Sequence, residues 1–362
     1  MKARKILLVL SGTLVLLSVC AIIALALKDK LFGPPDPYAD VQRVIKLEAS
    51  YGKFITEDDY GDGSALRNRA NQNCVRPALC VPTIIKYFDG LYFIADCYND
   101  QIIYSDDLSK GTYEWKIMTY DVKEPHSVDS DGNVYLVDDT ENNRVKVYRK
   151  AVNADGEVWF YGCQIFDGIG NRPHYTYYNE ADATFYAWSS ESGEMFLFKY
   201  MSEQDAVALV EKRIVPELSG VYVRSFTIRG DSIFFVSNLA DANIYQCNLE
   251  TFKVEKKYKV SDELAGMVQI TFADETIVIT VSTDREGNTS ARNLITCTSL
   301  EDLENGNYVS YYDLFASAGT PYNITMIGED TYYVTAHNAS GTSQVMSFQI
   351  ENGAIVNIQR YF

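Results

Sequence analysis

The chain holds three histidines, and two share one local setting: His126 in EPHSV and His174 in RPHYT each follow a proline, with His337 as the third. Neutral imidazoles brought together can ligate a divalent metal such as zinc, or one of them can act as a general base. Arg67, Arg69, Arg76, Arg172 and Arg224 stand out in an acidic chain. Gathered on one side, they would hold an anionic ligand such as a carboxylate or a sugar acid. Trp188, with Tyr98 and Tyr322, offers aromatic surface on which a carbohydrate ring would stack. Asp96, Asp138, Asp139 and Glu141 are carboxylates of the kind that hold calcium together with loop carbonyls. The sequence contains no GxSxG elbow, HExxH, GxxxxGK or dinucleotide fingerprint, so none of those chemistries is supported.

Whether these groups meet depends on the elements that carry them. From about residue 82 the chain repeats a pattern of turn, strand, polar loop and second strand, most legibly in DGNVYLVDDTENNRVKVY at 131–148. DGLYFIADCYNDQIIY at 89–104 is a second copy, and four weaker copies follow, each flanked by further strand-like runs. The corresponding positions Asp96, Asp139, Ser190, Asn238, Ser282 and His337 recur every 43 to 55 residues, the length of a propeller blade. The expected fold is therefore all-β: a six-bladed β-propeller with four-stranded antiparallel blades over residues 41–362. Within it, 41–81 supply an N-terminal strand and loop, and the blades begin near 82. AIVNIQRYF at the C-terminus is expected to complete blade six, with Val41–Glu48 adding a latch strand. Helical periodicity is nearly absent after residue 30. Ser202–Lys212 is the exception, expected as a loop insertion in blade three. In such a ring the loops entering the innermost strands, and those joining second to third strands, open on one face around the channel. All three histidines map to that face, with Arg172 and Arg224 at the starts of blades three and four.

VDDTENNRVKVY resembles the NHL repeat, whose core reads roughly V-A-D-x-x-N-x-R-I-x-V-F. IADCYNDQIIYS is similar, with Gln101 where the family prefers arginine, while blades three to six keep the strand pattern without the motif. The resemblance implies that Asp96 and Asp139 hydrogen-bond their own loops. The peptidylamidoglycolate lyases are NHL-type propellers with a histidine-ligated zinc near the axis; by that likeness His126 and His174 would be ligands for zinc, calcium being the alternative metal, on the carboxylates.

Residues 6–27 form an uncharged apolar run between MKARK and Lys28-Asp29-Lys30, about the length of a bilayer-spanning helix. The basic tail favours a cytoplasmic N-terminus, so residues 1–30 are expected to be a tail and signal anchor, with a cleaved signal or lipoprotein leader the alternative, and 31–40 (LFGPPDPYAD) a stiff linker. The remainder would lie outside the cell membrane on a single pass. A net charge of −17 disfavours nucleic-acid partners. Cys74 and Cys80 flank a short loop and can bridge in an oxidising compartment. The function expected is a binding or scaffolding module for a protein, peptide or glycan through the loop face. The alternative is a metal-assisted lyase or lactone hydrolase at the channel mouth.

Overall fold

The computed structural model describes residues 36–56, 78–238, 240–290, 292–315, 319–337 and 344–362, with Ser18, Asp59 and Arg76. Two compact units divide after Gln42. What is described of the first beyond Ser18 is a turn in which the Asp36 carboxylate accepts from the Tyr38 amide at 2.9 Å. The apolar run at 6–27 lies, Ser18 apart, outside the described residues, as do Cys74, Arg67 and Arg69. Among the described residues no helix is long and apolar enough to cross a membrane.

The second unit is a six-bladed propeller. Six antiparallel sheets each take four consecutive strands, over residues 82–119, 128–167, 173–214, 223–259, 266–310 and 320–361. The innermost strands are Pro82–Phe88, Val128–Ser130, Pro173–Asn179, Val223–Arg229, Gly266–Ala273 and Thr320–Met326. Local sequence dictates the hairpins. Asp89 and Gly90, at φ of 50° and 80°, supply the paired left-handed residues of a two-residue turn, and Asn352-Gly353 repeats the device at 51° and 81°. Alternating apolar residues then pack one blade face on the next. Phe93 of blade one, for example, lies 5.5 Å from both Tyr135 and Phe160 of blade two, centroid to centroid.

Hydroxyls on the inner strands stitch neighbouring blades. Thr83 donates to the His126 carbonyl at 2.8 Å and Ser225 to the Val268 carbonyl at 2.7 Å, each across 43 residues. Ala354–Tyr361 forms the outer strand of blade six, so the chain end completes that blade unaided. The first and last blades meet through Gln344, donating to the Leu79 carbonyl at 2.9 Å, and through Phe362 against Trp115.

Two sequence expectations are corrected here. The N-terminal strands do not latch the ring: Val44–Ser50 pairs with the outer strand of blade three, and Lys53–Phe54 with that of blade two. Those outer strands, nine and ten residues long, present extended unpaired edges that the N-terminal strands cover. Ser202–Lys212 is not a helical insertion either, because Ala206–Ile214 is the outer strand of blade three.

Candidate functional site at the channel mouth

The inner strands all start at one mouth of the channel, and the residues at their starts converge there. His174 is the second residue of its strand, and His126 stands two residues ahead of Val128–Ser130. Their rings stack with centroids 3.5 Å apart and planes inclined by 31°. His174 Nε2 lies 3.1 Å from the hydroxyl of Tyr322, which reaches across from blade six. Its Nδ1 is buried with no partner among the described residues.

The surroundings of His126 fix its tautomer. Thr140 Oγ1 has one hydrogen and faces two acceptors, Asp138 Oδ2 and the Pro173 carbonyl, both at 2.7 Å. It must donate to one of them and accept from His126 Nδ1, 3.1 Å away. The proton is therefore on Nδ1, and the Nε2 lone pair faces Cys97 Sγ at 3.5 Å. Asp138 also takes the amides of His126 at 2.8 Å and Ser127 at 2.6 Å, which holds the chain leading to the ring. Burial is the first cause of every shift in this group. It lowers His126 to about 3, with Arg172 adding to the effect, and holds His174 well below its ordinary value. It pushes Asp138 up to about 6 and keeps Tyr322 and the Cys97 thiol protonated far above their usual ranges. Both imidazoles are neutral at pH 7.

Cations rim this base. The Arg224 guanidinium lies 4.9 Å over the Tyr222 ring, its Nη1 3.4 Å from the Met267 carbonyl, and among the described residues no carboxylate pairs with it. Tyr222 in turn meets His174 edge-on at 5.7 Å. Arg172, in a left-handed conformation at φ 61°, pairs with Glu141 and stands 4.0 Å from Glu124. Arg76 donates to the Asn99 carbonyl at 2.8 Å, beside exposed Tyr98. His337 ends the second strand of blade six and meets Tyr322 at 6.0 Å, so that tyrosine stands between it and His174.

Trp188 does not belong to the site. It is fully buried in the second strand of blade three, donates to the Val223 carbonyl at 3.0 Å and packs on Phe235 at 4.4 Å, so it offers no stacking surface. The histidine pair does not fit a resident divalent metal. Zinc takes three or four protein ligands, and among the described residues no group of three or more His, Cys, Asp or Glu side chains is placed to hold an ion. The carboxylates offered for calcium are engaged elsewhere: Asp96 and Asp139 by their own loops, Asp138 under His126, Glu141 by Arg172. Cys80 carries a free thiol. Sequence reasoning passed over Cys97, Thr140 and Tyr222. Thr140 had a signal, its place directly after the Asp138-Asp139 pair of the most legible repeat; Tyr222 and Cys97 had none beyond their neighbours.

No protein-family model matches the chain, and no curated protein matches it. Solved structures do match in fold. A putative 6-phosphogluconolactonase from Bacteroides fragilis aligns with a TM-score of 0.53 at 9% identity, covering 91% of this chain and 97% of that one. The periplasmic gluconolactonase PpgL of Pseudomonas aeruginosa aligns at 0.52 and 12% identity, covering 77% and 85%. At such identities the likeness is one of fold.

Proposed function

We propose that the protein is a non-enzymatic binding propeller, NHL-like in its first two blades, displayed outside the cell membrane on the apolar segment at 6–27. Its channel mouth takes an anionic group, a carboxylate or sugar acid carried by a peptide, protein or glycan. One observation carries this reading: Arg224, stacked on Tyr222 beside two neutral imidazoles, meets no carboxylate among the described residues. A guanidinium so placed has donors left for a planar anion, and Tyr222 holds it in position. The buried imidazoles add donors or acceptors without competing charge.

Calorimetric titration of the full chain with glucuronate tests this. Arg224→Gln is expected to weaken binding at least tenfold, about 1.4 kcal/mol, without moving the melting temperature. Unchanged affinity in that variant would sink the reading.

A second reading rests on the Asp138–Thr140–His126 relay, which leaves Nε2 unprotonated and aimed at Cys97; burial makes it a weak base, so this reading requires a bound substrate to raise its basicity. The fold likeness to proteins named as lactonases points the same way. It calls for hydrolysis of a sugar-acid lactone, abolished by His126→Asn, with no metal step.

A further inference from the structure

The channel is not one space. His174 and Tyr322 bridge it near the first mouth, and deeper down Gln269 Nε2 reaches the Tyr175 hydroxyl at 3.4 Å while its Oε1 accepts from the Ile324 amide. Beyond that bridge, where the inner strands end, lies a separate cavity of about 270 Å³ walled by Lys86, Tyr175, Tyr177, Phe226, Gln269 and Thr271. It shares no lining residue with the imidazole site.

Lys86 is the unusual member. Its side chain is one-tenth exposed, and its ammonium donates to Asp129 Oδ2 at 2.9 Å. Asp129 is buried behind it and takes the Ser130 amide at 2.9 Å through its other oxygen. An ammonium has three hydrogens. Among the described residues only the Asp129 carboxylate accepts one, which leaves two donors on a nearly buried group at the cavity wall. Burial of that kind is costly unless something accepts from them. The facing surface is aromatic: Tyr175 and Tyr177 stand at 89° and 88° to the Phe226 ring, at 5.3 and 6.1 Å, and Lys86 Nζ lies 5.6 Å from the Tyr177 centroid.

We infer that this second mouth is a binding site for a neutral, hydroxyl-bearing ring of monosaccharide size. Four features favour that class. Asp129 already cancels the charge of Lys86, so an anion would give up its hydration for no net attraction. Among the described residues no carboxylate lines the cavity, so a cation has no partner there. A plain hydrocarbon would leave the ammonium donors unmet. A sugar ring lays C–H groups on the tyrosine and phenylalanine faces and turns hydroxyl oxygens toward Lys86 and the Tyr177 hydroxyl. The volume falls just below the roughly 300–1,000 Å³ of ordinary ligand pockets, which excludes an oligosaccharide lying wholly inside.

Saturation-transfer NMR and calorimetry on the full chain, with glucose, galactose, mannose and N-acetylglucosamine as separate probes, test the inference. At least one of them is expected to bind with a dissociation constant of about 1–10 mM. Lys86→Met should weaken it at least tenfold. Tyr177→Ala, which leaves the Lys86–Asp129 pair intact and so guards against a folding defect, should weaken it severalfold. Arg224→Gln should leave it unchanged, which separates this site from the anion site at the first mouth. The inference is overturned if no neutral hexose binds, if binding survives both Lys86→Met and Tyr177→Ala, or if Lys86→Met removes glucuronate binding instead.

Discussion

In blades one and two the loop between the second and third strands is tied down by a buried carboxylate at a repeat position, Asp96 or Asp139, that the later blades fill with other residue types. Asp96 takes the Cys80 amide at 2.6 Å, Asn99 Nδ2 at 2.6 Å and Gln101 Nε2 at 2.9 Å. Asp139 takes the Lys123 amide at 2.7 Å, Asn142 Nδ2 at 2.8 Å and Arg144 Nε at 2.8 Å. The equivalent positions later in the chain are Ser190, Asn238, Ser282 and His337, and the side-chain oxygens of Ser190 and Asn238 are buried without partners. Thr280, Asn293, Asn323 and Thr335 add further unpaired buried oxygens, all in blades five and six, while residues 82–167 contribute none among those described. The repeat motif is thus a hydrogen-bonding solution to one turn. Where it is lost, the blade survives because packing between sheet faces, not the turn, holds the ring together.

The largest effect is expected from removing that solution. Asp139→Ala strands the Lys123 amide and the Asn142 and Arg144 donors at a buried position, and should cost about 3 kcal/mol in urea unfolding. Ser190→Ala, at the corresponding position of blade three, removes a buried hydroxyl with no partner among the described residues and should leave stability unchanged or raise it by up to about 1 kcal/mol. Equal losses at the two positions would break the contrast.

A smaller effect separates the histidine of blade two from the acids around it. Burial lowers His126 to about 3, so below its ordinary value near 6.5 the unfolded chain takes up a proton that the folded protein refuses. Its contribution therefore falls on acidification, by about 1.4 kcal/mol per pH unit. Asp96 and Asp138, pushed up to about 6, act in the opposite sense: the folded protein protonates first, so their contribution rises as pH drops from 6 toward 4. His126→Asn removes only the first of these. Between pH 6.5 and 5 the variant should gain about 1.6 kcal/mol relative to the change seen in the unaltered protein. Urea midpoints at the two pH values measure it, and a parallel decline in both proteins would assign the ring a solvated, ordinary titration.

The same contrast explains what could be read from the chain. The six-bladed fold was legible because period-2 alternation reports strands directly; Asp-Gly turns marked blades one and two and Asn352-Gly353 the end of blade six, while the later blades kept only the strand pattern. His126 and His174 were placed at matching strand starts from their prolines, and the structure stacks them at 3.5 Å. The role of Gln101 follows from the motif too: it reaches Asp96 as Arg144 reaches Asp139. Trp188 was misplaced because a second-strand residue looks the same in sequence whether it faces a blade seam or a ligand. The partners of the N-terminal strands were illegible because any outer edge can accept a strand. Lys86 did leave a trace, a single charge inside the apolar run PTIIKYF, but its partner Asp129 lies 43 residues away on the next blade. Only the ring geometry brings them together.

The finest test of the comparison changes one atom type. Thr335 lies in the second strand of blade six, wholly buried, its hydroxyl without a partner among the described residues. Valine matches its shape and suits a strand equally well, so Thr335→Val removes a desolvated hydroxyl without opening a cavity. Stability should rise by about 1 kcal/mol, since leaving such a group unsatisfied costs roughly that much or more. The identical substitution in the motif-bearing half has the opposite sign. Thr140 carries a satisfied hydroxyl between His126, Asp138 and the Pro173 carbonyl, and Thr140→Val should cost about 2 kcal/mol. Melting curves of the two variants side by side decide it. If Thr335→Val also destabilises, its hydroxyl has found an acceptor, and the difference between the two halves lies in packing rather than in polar satisfaction.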